Sequence, residues 1–244
     1  YLAMNKIKDV PPVSMTQLLE EHQELAIDIC RDIPVAKYFA GYLKNGYYPY
    51  SVEAGNDYLS RLSETTKLVI DTDMPAVEAV SYATIQKTKQ LLMVVAEHVP
   101  LVPNISKLSA QLETTRDICL KMLYTLDRAG LLLLLTRDVK DYKHLVAPEK
   151  IFLGNTNLMY ALGSSVNEGT LRETFFLNQL SLKHDVNAPK QGDFLIDGKY
   201  LFEVGGKNKT FEQIKDVQDS FLAVDGIEIG SRNRIPLWML GFCY

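Results

Sequence analysis

The chain has 244 residues, 47% of them apolar and 23% charged, an ordinary globular composition long enough for one large domain or two to three small ones. Against 30 acidic residues stand 26 basic ones, and the formal charge of -4 excludes a protein that coats nucleic acid or an anionic membrane by electrostatics alone, though a local basic face is still allowed. Cys30, Cys119 and Cys243 form no CxxC pair and His22, His98, His144 and His184 are scattered, so a reducing, cytoplasmic compartment and no zinc site are expected. The apolar run 131–135 is too short to span a bilayer, and the N-terminus lacks a basic region followed by an apolar core, so no membrane partner is expected. Because it opens on Tyr1 rather than methionine, the chain reads as part of something longer.

From Ser14 to about Val99 the pattern is helical. Ser14 can cap the first helix, with Gln17 three residues on as in a capping box. The one irregular passage is Tyr42-Leu43-Lys44-Asn45-Gly46-Tyr47-Tyr48-Pro49-Tyr50, where glycine and proline stop a helix. Its four tyrosines suit either a turn packed under its own aromatics or a partner-docking loop.

Beyond Pro100 and Pro103 the spacing predicts a short helix over 104–112, a second from Thr114-Thr115-Arg116 to Ala129 with Gly130 as its stop, and strands over 131–136 and 145–152. Between the strands lies the polar wing 137–143. With the preceding helix 85–98, this is the order of a winged helix-turn-helix. In DNA-binding versions the second paired helix enters the major groove. Here it offers Arg116, Lys121 and Arg128 but also Asp117 and Asp127, so Lys140, Lys143 and His144 of the wing are the better phosphate candidates.

The last segment mixes helix and strand, with a loop over 162–169, a helix over 170–183, a short helix over 210–216, and strands around 220–224 and 235–242. Pro236-Leu237-Trp238-Met239-Leu240 is expected as a buried strand. The stretch 192–204 reads as a hairpin that carries Asp193 and Glu203. With Glu173 on the preceding helix, these three carboxylates are the oxygen set that could hold Mg²⁺ or Mn²⁺.

The run Lys150-Ile151-Phe152-Leu153-Gly154-Asn155-Thr156-Asn157-Leu158-Met159-Tyr160-Ala161-Leu162, together with Gly169-Thr170-Leu171-Arg172-Glu173-Thr174-Phe175-Phe176 and Phe202-Glu203-Val204-Gly205-Gly206-Lys207, closely resembles the C-terminal half of a family of bacterial and archaeal AAA+ ATPases. In that family a P-loop domain precedes a helical and winged-helix region and a C-terminal domain similar to PD-(D/E)XK nucleases. The resemblance implies an α+β fold: a helical region over 1–100, a winged helix-turn-helix over 101–147, and a restriction-endonuclease-like α/β domain with a mixed sheet over 148–244. No GxxxxGK[ST] loop occurs in the chain, so ATP is expected only in an N-terminal domain that would be its partner.

Carried over onto this sequence, the resemblance implies Glu173, Asp193 and Glu203 as metal ligands, with a lysine expected two positions after the last acid. That position is Gly205. Lys207 and Lys209 stand close by, and Gln213 matches a polar position that faces such sites. The expected function is a nucleic-acid- or protein-interaction module with a degenerate nuclease-like domain; the alternatives are an active Mg²⁺-dependent DNA or RNA nuclease and a winged-helix DNA-binding protein without catalysis.

Overall fold

The computed structural model describes residues 1, 2, 5, 9–77, 80–137 and 146–243. The helical part runs α1 (Met15–Asp32), α2 (Val35–Asn45), α3 (Ser51–Ala54), α4 (Tyr58–Leu68), α5 (Met74–Val77), α6 (Tyr82–His98), α7 (Ile105–Gln111) and α8 (Arg116–Arg128). Then follow β1 (Leu132–Leu135), β2 (Lys150–Leu153), α9 (Thr156–Leu162) and α10 (Glu168–Leu180). The chain finishes with β3 (Val186–Asn187), β4 (Phe194–Ile196), β5 (Tyr200–Gly206), β6 (Ser220–Asp225), β7 (Arg234–Pro236) and a 3-10 helix, Leu237–Phe242. The fold is mixed α and β, and among the described residues no helix is long and apolar enough to cross a membrane. Two compact units emerge: Tyr1–Val52 with Asn167–Tyr244, and Glu53–Val166. The expected helical region 1–100 is divided between them.

In the unit Glu53–Val166, helix starts are set by side-chain caps: Ser81 accepts from the Thr84 N–H, Asn104 from Lys107 and Thr115 from Ile118. Gly130, with φ of +69°, ends the passage after α8 and turns the chain into β1. β1 and β2 pair antiparallel from Leu132↔Leu153 to Leu135↔Lys150, and Leu101 adds an isolated antiparallel bridge to Ile151. Leu123 and Leu126 of α8, Leu132 of β1 and Ile151, Phe152 and Leu153 of β2 are all fully buried. The predicted 104–112 and 116–129 helices and the strand pair are found here. The wing lies largely outside the described residues, and with it Lys140, Lys143 and His144.

In the other unit, the expected capping box at Ser14 and Gln17 starts α1. A five-stranded sheet has the order β3-β4-β5-β6-β7, with β3, β4 and β5 antiparallel and β6 and β7 parallel to β5. Alternation along the strands gives the sheet two different faces. On one face Phe176 of α10 stacks on Phe194 with ring centroids 4.7 Å apart and meets Phe202 at 5.1 Å, and Phe202 meets Phe221 at 5.4 Å. On the other, Leu201, Leu222 and Val224 pack with Ile214, covered by Phe211, Val217 and Ile227.

Two expected elements take other forms. The helix over 210–216 is a succession of turns in which the Ile214 N–H donates to the Phe211 carbonyl and Val217 to Ile214. The strand expected over 235–242 stops at Pro236. From Leu237 the chain coils into a 3-10 helix that buries Leu237, Trp238, Met239 and Leu240, with the Trp238 indole N–H donating to the Glu228 carbonyl at 3.2 Å. The tyrosine-rich passage follows α2. Tyr47 meets Tyr48 edge-on at 4.9 Å, Tyr48 stacks on Tyr50 at 5.9 Å, and the Tyr42 ring lies edge-on to Phe175 at 6.0 Å. That is the packed turn under its own aromatics.

A two-acid groove beside the hairpin

The hairpin that carries the acids is fixed by its turn. Asp197 and Gly198 both have positive φ, 52° and 64°, and the Lys199 N–H closes the turn on the Ile196 carbonyl at 3.0 Å. Two consecutive left-handed residues match the natural twist of a hairpin, and Asp-Gly is a favoured pair for it. The resulting register pairs Ile196 with Tyr200, Leu195 with Leu201 and Phe194 with Phe202. Asp193 immediately precedes Phe194 of this ladder, and Glu203 immediately follows Phe202.

Asp193 is half-buried and continues the ladder with its side chain: its N–H donates to the Phe202 carbonyl at 3.0 Å, and Oδ2 accepts from the Val204 N–H at 2.8 Å. Its Oδ1 makes no hydrogen bond among the described residues. Glu203 is 2% exposed, in the middle of β5. An isolated carboxylate there would be costly, so it must be paired. Lys209 supplies an ammonium in direct ion pairing with Oε1. The Gln213 carboxamide, turned so that its NH₂ faces the acid, donates to both oxygens, the Oε2 contact being 3.2 Å. Gln213 is itself held at its carbonyl by the Gln191 carboxamide. Lys190, Gln191, Gly192, Asp193, Glu203, Lys209, Glu212 and Gln213 together line one open, polar groove.

Of the expected site residues, Asp193, Glu203 and Gln213 therefore meet. Glu173 does not line the groove. Its helix packs on the phenylalanine face of the sheet, Glu173 engages other groups, and the neighbouring Arg172 reaches Asp225 at 2.8 Å and Glu168 at 2.9 Å. Among the described residues no three carboxylate, imidazole or thiol side chains converge as a metal-holding group. Lys207 is exposed and absent from the groove lining; Lys209 is the lysine that reaches Glu203. Sequence spacing does not separate the two, because the choice depends on where β5 ends and how the turn after Gly206 runs.

On the α8 helix of the other unit, Arg116, Asp117, Ile118, Lys121 and Arg128 are exposed. Asp127 is spent inside: Oδ1 accepts from the Leu134 N–H at 3.1 Å, tying α8 to β1. Burial pushes its carboxyl above the usual aspartate range, opposed by that N–H and by Arg128. The outward face of α8 is thus more basic than its composition suggests. After β1, Arg137 pairs with Glu149 at 2.9 Å. Comparison with family models, with curated proteins and with solved structures returns no match to this chain.

Proposed function

We propose that the sheet-bearing unit is a divalent-cation-dependent phosphodiesterase acting on nucleic acid, of the PD-(D/E)XK kind that the sequence resembles. The observation that carries this reading is that Asp193 and Glu203, which flank the paired Phe194 and Phe202 of one hairpin, line an open groove that also holds Lys190, Lys209 and Gln213. Mg²⁺ commonly takes only one or two protein carboxylates and completes its shell with water and substrate phosphate. Asp193 and Glu203 fit that requirement without Glu173. When bound, the cation supplies charge neutralisation of a phosphoryl group and activation of water. The chain's own residues do the rest: Lys190 and Lys209 favour an approaching phosphate, and Gln213 fixes the rotamer of Glu203.

The test is incubation with supercoiled and linear DNA and with RNA in Mg²⁺ or Mn²⁺. Cleavage in the wild type that is lost in Asp193→Asn and Glu203→Ala is the expected result. Equal activity in all three, or none in the wild type, refutes it. One observation favours a second reading, an interaction module with a degenerate site: both Glu203 oxygens are already engaged, by Lys209 and Gln213. On that reading nucleic acid or a protein binds without being cut.

For the unit Glu53–Val166 the winged helix-turn-helix assignment is supported by the paired α7 and α8, the β1–β2 ladder and the Leu101 bridge. We extend the same resemblance to the context of the chain, as the portion of an AAA+ ATPase beyond its P-loop domain, with ATP bound in that domain. DNA contact through Arg116, Lys121 and Arg128 would give an affinity that falls steeply with salt.

A further inference from the structure

We infer that Gly205 and Lys209 are one functional unit: the ammonium of the Glu203 centre comes from position 209, passes through the gap that Gly205 leaves open, and is held in place by Arg234. The inference rests on the groove being the working site proposed above, and its physical core is testable without that.

Three observations converge. First, Glu203 and Gly205 are two apart on β5, so a side chain at 205 would stand beside Glu203 on the same face of the sheet. That space is already filled. A Cβ built on Gly205 would lie 2.7 Å from Lys209 Cγ, 2.8 Å from its Cβ and 2.9 Å from its Cδ, closer than such atoms approach in practice. The stem of Lys209 occupies the volume of the missing side chain and delivers its nitrogen to Glu203 Oε1.

Second, the segment carrying Lys209 is clamped from outside. Arg234 of β7 donates from Nη1 to the Lys209 carbonyl and from Nη2 to the Lys207 carbonyl, both at 2.8 Å. A planar guanidinium bridging two carbonyls fixes their separation and orientation. The Lys209 N–H also closes a turn on the Gly206 carbonyl at 2.9 Å. Arg234 touches neither acid and acts through Lys209; it is a positioning residue.

Third, the acid needs this cation. Glu203 is 2% exposed and its other described partner is the neutral amide of Gln213. Gly205 is thus a glycine because another residue's side chain lies over it. Its φ is not in the left-handed region, so backbone strain does not explain it.

The experiment is an exchange of the two residues. Lys209→Gly removes every side-chain atom over position 205, and Gly205→Lys in the same molecule returns a lysine from the adjacent site. Thermal unfolding at pH 7 is followed for the wild type, Lys209→Gly and the exchanged pair. Losing one partner of a buried ion pair lowers Tm in Lys209→Gly by roughly 6–12 °C, and the exchanged pair regains at least half of the loss. Lys209→Met, which keeps the stem, shows the same direction of shift if glycine at 209 loosens the turn. An exchanged pair no more stable than Lys209→Gly, or Lys209→Met with wild-type Tm, overturns the inference.

Mn²⁺-dependent cleavage is measured on the same proteins. An inert wild type refutes the phosphodiesterase reading and leaves the Tm comparison to decide the inference. With an active wild type, Lys209→Gly loses on the order of 100-fold in rate and the exchanged pair recovers at least tenfold. Arg234→Gln then lowers kcat with KM unchanged and Arg234→Lys restores part of it. Unchanged cleavage in Lys209→Gly overturns the inference.

Discussion

The buried pair of Glu203 and Lys209 is unequal, and that inequality has a measurable consequence. The Glu203 side chain is 3% exposed, whereas that of Lys209 is 30% exposed and can swing its nitrogen into water. Lys209→Met therefore strands a carboxylate inside the protein with only the Gln213 amide for company. Breaking a buried pair from one side costs about 3–5 kcal/mol. The remaining hydrogen bond to charge and the partial solvation of the pair bring this to about 2–3 kcal/mol. Glu203→Gln does the reverse: it removes the group that cannot reach water and releases the one that can, at similar volume. Its cost should be under about 1 kcal/mol, and a gain is allowed. For a chain of this size these become Tm decreases of about 4–12 °C for Lys209→Met and at most about 4 °C for Glu203→Gln. Trp238 is the single tryptophan and lies in the same unit as the pair, so its fluorescence in guanidinium titrations reports the right transition. The double variant should sit within about 1 kcal/mol of Glu203→Gln. Equal costs for the two single variants, or a larger cost for Glu203→Gln, refute the reasoning.

Removing the central ring in Phe176→Ala, fully buried between Phe194 and Phe202, should destabilise the sheet unit by about 3–5 kcal/mol, seen as an earlier midpoint in the same titration. His22 is 3% exposed, neither ring nitrogen makes a hydrogen bond of good geometry, and burial lowers its pKa below 6.5, opposed more weakly by backbone groups of Leu19, Leu18 and Arg234. A depressed histidine pKa means that the unfolded chain binds the proton first, so Tm should be full above pH 6.5 and fall as the pH drops below it; His22→Leu should flatten the curve below pH 6.5. Burial pushes the Cys243 thiol to about 12 and raises those of Cys30 and Cys119, so iodoacetamide at pH 8 should label the native protein slowly and all three cysteines quickly in guanidinium, as counted by intact mass.

Local chemistry was the legible part. Ser14 with Gln17, Asn104 and Thr115 mark helix starts through bonds that span three residues, and Asp197-Gly198 marks a turn for the same reason. Leu237-Trp238-Met239-Leu240 was not legible, because a short apolar run is equally at home in a strand or a buried coil and only its neighbours decide. Phe211, Ile214 and Val217 have helical spacing, yet successive turns bury the same three side chains. Within the groove, Asp193 and Glu203 could be found from the hairpin pattern, and Gln213 from the resemblance alone. Glu173 could not be placed: helical periodicity identifies the apolar stripe of α10 but not the sheet face that stripe covers. Nor does any local pattern tell that Tyr1–Val52 groups with Asn167–Tyr244, since that depends on contacts such as Phe39 with Phe175, at 4.9 Å.

The tight Asp197-Gly198 turn lies several residues away from the chemistry, yet it acts as the registration mark for it. Side chains alternate in direction along a strand, so one extra residue inserted there would bring Phe194 or Gly192 to the place beside Glu203 that Asp193 now holds, or would break the ladder altogether. Length at that loop is consequently under tighter constraint than its composition. Descendants of this chain are free to vary the letters around the tip, but an indel within it would dismantle the acid pair while leaving every functional residue present in the sequence.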